Sequence, residues 1–183
     1  MANTAATSPG TMANDATVGT VAWVNPDNAK VSDNVYTTTT MDYHGEIYEY
    51  AIKIVKSNGT IGTTNKSTGA WLSDTEGYHT YGSLSNLWGE SWTPADINSA
   101  NFGMVFAHED TYVSEISNYL KATNFNFSIP TGATINGIKA EVETSSISDG
   151  PFSDTDYFRV DHIRITIYYT DGVSNQANFL AFF

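Results

Sequence analysis

The chain has 183 residues, of which 40% are hydrophobic, 13% aromatic and only 15% charged, and 20 acids against 8 bases give a net charge of -12. Two Arg and six Lys cannot build the basic stripe that phosphate contacts need, zero Cys excludes a disulfide framework or thiolate metal site, and the aromatic content argues against disorder. Thr, Ser and Asn supply 57 residues, so the surface is polar but short of charge.

Residues 1–20, MANTAATSPGTMANDATVGT, carry neither a cationic n-region nor an apolar h-region, so they do not read as a secretory signal. They read as an extended arm. No window approaches the roughly 18–20 apolar residues of a membrane helix. These features predict synthesis in a cytoplasm without a signal peptide.

Beyond the arm, period-two alternation dominates. Tyr48, Tyr50, Ile52 and Ile54 fall on one face of a predicted strand, with Glu49 and Lys53 on the other. Ser57-Asn58-Gly59 is a turn signal. Thr93-Pro94-Ala95-Asp96 combines an N-cap Thr, a Pro at the first helical position and an acid at the third, predicting one short helix near residues 94–100. Residues 102–107 read as a strand, followed by His108-Glu109-Asp110 as a solvated loop.

Further along, Phe125, Phe127 and Ile129 alternate with Asn126 and Ser128, and Pro130-Thr131-Gly132 follows as a turn. Ile138, Ala140 and Val142 alternate with Lys139, Glu141 and Glu143. Asp149-Gly150-Pro151 reads as another turn. Ile163, Ile165, Ile167 and Tyr169 define the last strand, but Phe158 and Val160 lie in the opposite phase, so Asp161-His162 marks a β-bulge. About eight to ten such strands predict an antiparallel β-sandwich of jelly-roll type. The expected organisation is an arm over 1–20, one sandwich over 21–172 and an apolar tail over 173–183.

Chemistry-bearing patterns are sparse. There is no GxSxG elbow, no HExxH and no glycine-rich phosphate loop, and His44, His79, His108 and His162 are scattered. No enzymatic activity is expected. Trp71, Trp88 and Trp92, with Glu90 between the last two, offer rings and an acid for stacking on and bonding to a sugar. The alternative is that Trp88 and Trp92 close one end of the core. A glycan hydrolase would need two carboxylates facing each other across a cleft. The stretch 148–156, SDGPFSDTD, supplies Asp149, Asp154 and Asp156, with Asp161 just beyond, a donor type suited to a structural Ca²⁺. Otherwise no cofactor is expected. Phe179, Leu180, Phe182 and Phe183 would be an exposed apolar patch unless they pack back on the sandwich or dock on a neighbouring subunit.

Several motif blocks carry a resemblance. They are GTVAWVNPDNA (19–29), SDNVY (32–36), LWG (87–89), WTPADIN (92–98), NFG (101–103), YLKATNF (119–125), SIPTGATINGI (128–138) and VDHIRITIYYT (160–170). Together they resemble a family of small virion-associated proteins of tailed phages and virus-like metagenomic contigs. In that family the block at 119–138 precedes the block at 87–103; here the order is reversed. Such an exchange implies rewired, irregular loops near 41–45, 113–118 and 145–157. The resemblance implies a non-enzymatic virion structural protein, a head decoration, surface fibre or spike component. Its expected partners are copies of itself, most simply as a trimer, and a major shell or tail protein, with no nucleic acid and no membrane. The alternative function is a carbohydrate-binding or host-receptor adhesin module.

Overall fold

The computed structural model describes residues 1–42, 47–72, 74–111, 114–148 and 155–172. Two antiparallel sheets pack face to face. Sheet A contains β1 (Ala2–Asn3), β3 (Thr37–Asp42), β5 (Gly77–Gly82), β9 (Thr134–Ser148) and β10 (Thr155–Thr170). Its order is β1-β10-β9-β5, with β3 also paired to β10. Sheet B contains β2 (Thr11–Asp15), β4 (Ile47–Val55), β6 (Gly103–Asp110), β7 (Glu115–Ile116) and β8 (Tyr119–Thr123), in the order β2-β8-β6-β4, with β7 on β6. The chain passes alternately between the sheets from β1 to β6, stays in sheet B through β8, and returns to sheet A for the β9–β10 pair.

The inner faces follow from alternation. Ile138, Ala140 and Val142 on β9 and Ile163, Ile165 and Ile167 on β10 meet Ile52, Ile54, Met104, Phe106 and Leu120 of sheet B. Each large side chain buried here contributes about 1.5–3 kcal/mol. Phe158 and Val160 join the same core although they lie in the other phase. The predicted bulge explains this: the register slips between Val160 and His162, leaving Asp161 without a partner residue in β9. Phe125, Phe127 and Ile129 are buried as their alternation predicts.

A second bulge corrects the reading of β4. The register also slips between Glu49 and Ala51. Ile52 and Ile54 enter the core, whereas Tyr48 and Tyr50 are only half-buried and Tyr50 packs on the outer side of sheet B. Glu49, expected outside, is buried and accepts hydrogen bonds from the Tyr81 hydroxyl at 2.8 Å and the Thr68 amide at 2.8 Å. An inserted residue exchanges the two faces of a strand, and here it carries the acid inward.

Three further expectations change. The arm is extended, but it belongs to the sandwich: β1 pairs with Tyr168 and Tyr169 of β10, Thr7 pairs with Ile165, and β2 pairs with all of β8. The Ile167 amide also donates to the Thr4 hydroxyl across 163 positions of sequence. His108-Glu109-Asp110 is the end of β6, in register with Ile47–Glu49, and not a solvated loop. The stretch 145–157 is strand through Ser148 and again from Thr155.

Local signals held where they were strongest. The helix α1 (Pro94–Ile97) has both bonds of a capping box between Thr93 and Asp96, and buried Ile97 anchors it. The turn at Ser57-Asn58-Gly59 joins β4 to a strap over residues 61–72, which runs along the free edge of β4. Amides of Gly62, Lys66 and Leu72 donate to Ile54, Ile52 and Ile47, and Glu49 donates to Ala70. This edge is thereby closed to other strands.

Candidate functional site

The outer face of sheet A concentrates the ionisable side chains. Outward positions on the central strands bring Glu141 beside Arg164, and Glu143 between Tyr78 and His162, as cross-strand neighbours. Arg164 makes a forked pair with Glu141, Nε to Oε2 at 3.0 Å and a terminal nitrogen to Oε1 at 3.2 Å. Lys139 Nζ adds a second ion pair at 3.0 Å. Burial alone would raise the Glu141 carboxyl, but Arg164 and Lys139 hold it below its ordinary value. The Arg164 guanidinium also lies 3.7 Å from the Tyr78 ring centroid.

His162 is fixed at both ring nitrogens, Nδ1 at 2.8 Å from the Tyr78 hydroxyl and Nε2 at 2.8 Å from Ser8 Oγ. Burial pushes its pKa below the ordinary value, against the opposing pull of Glu143. The N-terminal segment therefore supplies one of the two partners that hold this imidazole.

Next to this row, Glu76, Glu143 and Asp161 converge, with one carboxylate oxygen from each lying within 4.8 Å of the other two. The bulge on β10 presents Asp161, the outward alternation of β9 presents Glu143, and the residue before β5 presents Glu76. Asp161 is 2% exposed, and its Oδ1 has no hydrogen-bond partner; Glu143 Oε2 is buried and also unpartnered. Glu76 faces solvent and takes a 3.4 Å contact from the Tyr36 hydroxyl. Arg159 lies over the Tyr36 ring, 5.0 Å from its centroid.

The tryptophans are not gathered on one face. Trp88 is 1% exposed, and its Nε1 donates to the Ile138 carbonyl at 3.0 Å. It fits because Gly82, at φ +75°, leaves room where a Cβ would stand 2.8 Å from that nitrogen. Trp92 packs edge-on against Phe102 and donates to the Leu87 carbonyl. Glu90 is taken up by Lys56 Nζ at 2.5 Å. Trp71 alone of the three is half exposed, in a bridge to Tyr48 on β4.

Asp149 and Asp154 lie outside the described residues, as do Phe179, Leu180, Phe182 and Phe183. Asp156, on β10, pairs with Ser148 of β9, and its side chain lies outside the described residues. Four residue steps separate that pair from Val160 and Thr144, about 13 Å along the strands, so the converging carboxylates lie away from the Asp156–Ser148 pair. The local sequence points to Asp161 but not to Glu76 or Glu143 as a member of this cluster. The outward phase of Glu143 was visible; its neighbours required the strand register.

A separate buried group lies between the sheets. His108 is fully buried, 4.4 Å centroid to centroid from Phe158 and edge-on to Trp23 at 5.3 Å. Its Nε2 is 2.7 Å from Thr39 Oγ1, and burial drives its pKa down to about 3. The ring is a neutral core residue.

Comparisons with protein-family models, with curated proteins and with solved structures find no match to this chain.

Proposed function

We propose that the chain is a non-enzymatic structural component of a virus particle, a decoration, fibre or spike subunit that works by self-assembly and attachment to a shell. The observation that supports this reading best is the outer edge of β5. Among the described residues, no backbone hydrogen bond is made from that edge, in contrast to the strapped edge of β4. An open edge is a template for a strand of another copy. Three valines around the 3-10 turn at Pro26–Lys30, Val24, Val31 and Val35, are more than half exposed and add apolar surface.

The motif blocks spanning 19–170 support the viral setting. The alternation of β1–β6 between the sheets supports a jelly-roll description, from which the adjacent β9 and β10 depart. A closed homo-oligomer, most simply a trimer, would cover the β5 edge, with residues 178–183 as an additional docking segment.

Size-exclusion chromatography with light scattering tests this on the full chain, on Thr80→Lys in the β5 edge and on a chain lacking residues 178–183. The expected result is an oligomer that at least one of the two changes dissociates. A monomer for all three across the accessible concentration range overturns the reading. A carbohydrate-binding role is the second reading, favoured by the half-exposed ring of Trp71 alone. Glycan-array binding that Trp71→Ala abolishes would establish it in place of the first.

A further inference from the structure

We propose that Glu76, Glu143 and Asp161 form a Ca²⁺ site that ties the edge of β5 to the bulge of β10. The spacing is the first argument. Oxygens bound to one Ca²⁺ lie at most about 5 Å apart, twice a bond of about 2.4 Å, and here all three lie within 4.8 Å of one another.

The second argument is independent of the clustering. Asp161 is 98% withdrawn from solvent, yet its Oδ1 has no hydrogen-bond donor, and Glu143 Oε2 is buried in the same condition. Buried carboxylate oxygens normally find donors, because ionised groups lose their hydration on burial. The nearby cations and hydrogen-bond donors are engaged elsewhere. Arg164 is forked onto Glu141 and stacked on Tyr78, Arg159 lies over Tyr36, and both nitrogens of His162 face hydroxyls. A cation bound among these carboxylates would supply the partner that the buried Asp161 side chain lacks.

The donor chemistry selects the ion. Every available ligand is oxygen: three carboxylates, with the Tyr36 hydroxyl 3.4 Å from Glu76 Oε2. Oxygen-only sets suit hard cations, and an irregular set suits Ca²⁺ better than Mg²⁺, which demands a near-ideal octahedron. Exposed Glu76 provides the approach from solvent. Binding here would also absorb part of the net charge of -12. The proposal stands apart from any assembly of the chain.

The test uses the full chain freed of metal by EDTA and then given Tb³⁺ or Ca²⁺. Tyr36 and Tyr78 should sensitise Tb³⁺ luminescence, and Ca²⁺ should compete it away. Glu76→Gln, an exposed change without a folding burden, should weaken Tb³⁺ binding by at least about ten-fold, the scale of losing even an outer partner of a metal site. Asp27→Asn, at an acid paired with Lys30 elsewhere, should leave it unchanged. In thermal unfolding, Ca²⁺ at a hundred-fold excess over its dissociation constant should raise the wild-type midpoint by roughly 5–10 °C. Asp161→Asn should melt above the wild type in EDTA, because one repelling charge is gone, and should not respond to Ca²⁺. A wild type that ignores millimolar Ca²⁺, or a response that persists undiminished in Glu76→Gln, overturns the proposal. If Asp161→Asn does not fold, Glu76→Gln alone decides.

Discussion

The outer faces of the two sheets are both partly covered, but with opposite chemistry. On sheet B the covered layer is apolar: Ala51, Val55, Val105, Ala107 and Tyr119, with Val18, Tyr50 and Ile61 packed against them. On sheet A the covered layer is ionic: Glu141, Asp161 and His162 are each less than a tenth exposed, and Arg164 and Lys139 lie beside them. An apolar layer needs only area and shape. An ionic layer needs every partner in place, because one missing group strands another without water. The two faces of the sandwich should therefore fail differently.

The largest difference is expected from Arg164→Met. It leaves Glu141 buried with only Lys139 as a cation and removes the ring contact with Tyr78, costing about 2–4 kcal/mol by urea denaturation at neutral pH, discounted because Arg164 is partly exposed. The double variant Arg164→Met, Glu141→Leu should recover most of that loss. The sign with pH is fixed by Glu141, whose folded pKa is lowered: its contribution is complete above about 4.5 and disappears as pH falls through the folded value. The cost of Arg164→Met should shrink accordingly.

Acid separates the layers in a second way. His108 and His162 both have lowered folded pKa values, so the unfolded chain takes up protons first and stability falls as pH drops below about 6.5. For His108, with a folded value of about 3, the loss at pH 5 is about 2 kcal/mol. His108→Phe should flatten that part of the pH–stability curve. A wild-type curve that is level between pH 7 and pH 5 would contradict the neutral buried ring.

Val105→Ala, in the apolar layer, should cost about 1–2 kcal/mol, the same at low and high salt. Lys139→Met, in the ionic layer, should cost less than about 1 kcal/mol and lose even that in concentrated salt. Equal salt responses of the two variants would erase the distinction between the faces.

What could be read from the sequence was what is encoded locally. Alternation exposed the inner faces of β9 and β10, the phase change exposed the bulge at Asp161-His162, and Thr93 with Asp96 announced the helix start. The bulge on β4 was hidden because Tyr48, Tyr50, Ile52 and Ile54 form a run that looks continuous in one phase. The arm was hidden for another reason: β1 and β2 join their sheets through backbone bonds, which leave little imprint on side-chain type. The carboxylate cluster draws on three separate stretches of chain, so only the register of β5, β9 and β10 brings it together. Trp88 and Trp92 were ambiguous as local motifs, and the core claimed the first almost wholly.

The pairing of Thr4 with Ile167 has a consequence for how the protein is made. Those residues are 163 positions apart. At about 5–20 residues per second, a ribosome needs roughly 8–30 s to supply the second after the first. Because β10 is also the strand on which β3 and β9 pair, sheet A cannot close until that delay has passed. Until β10 is made, the strands that pair on it present open edges.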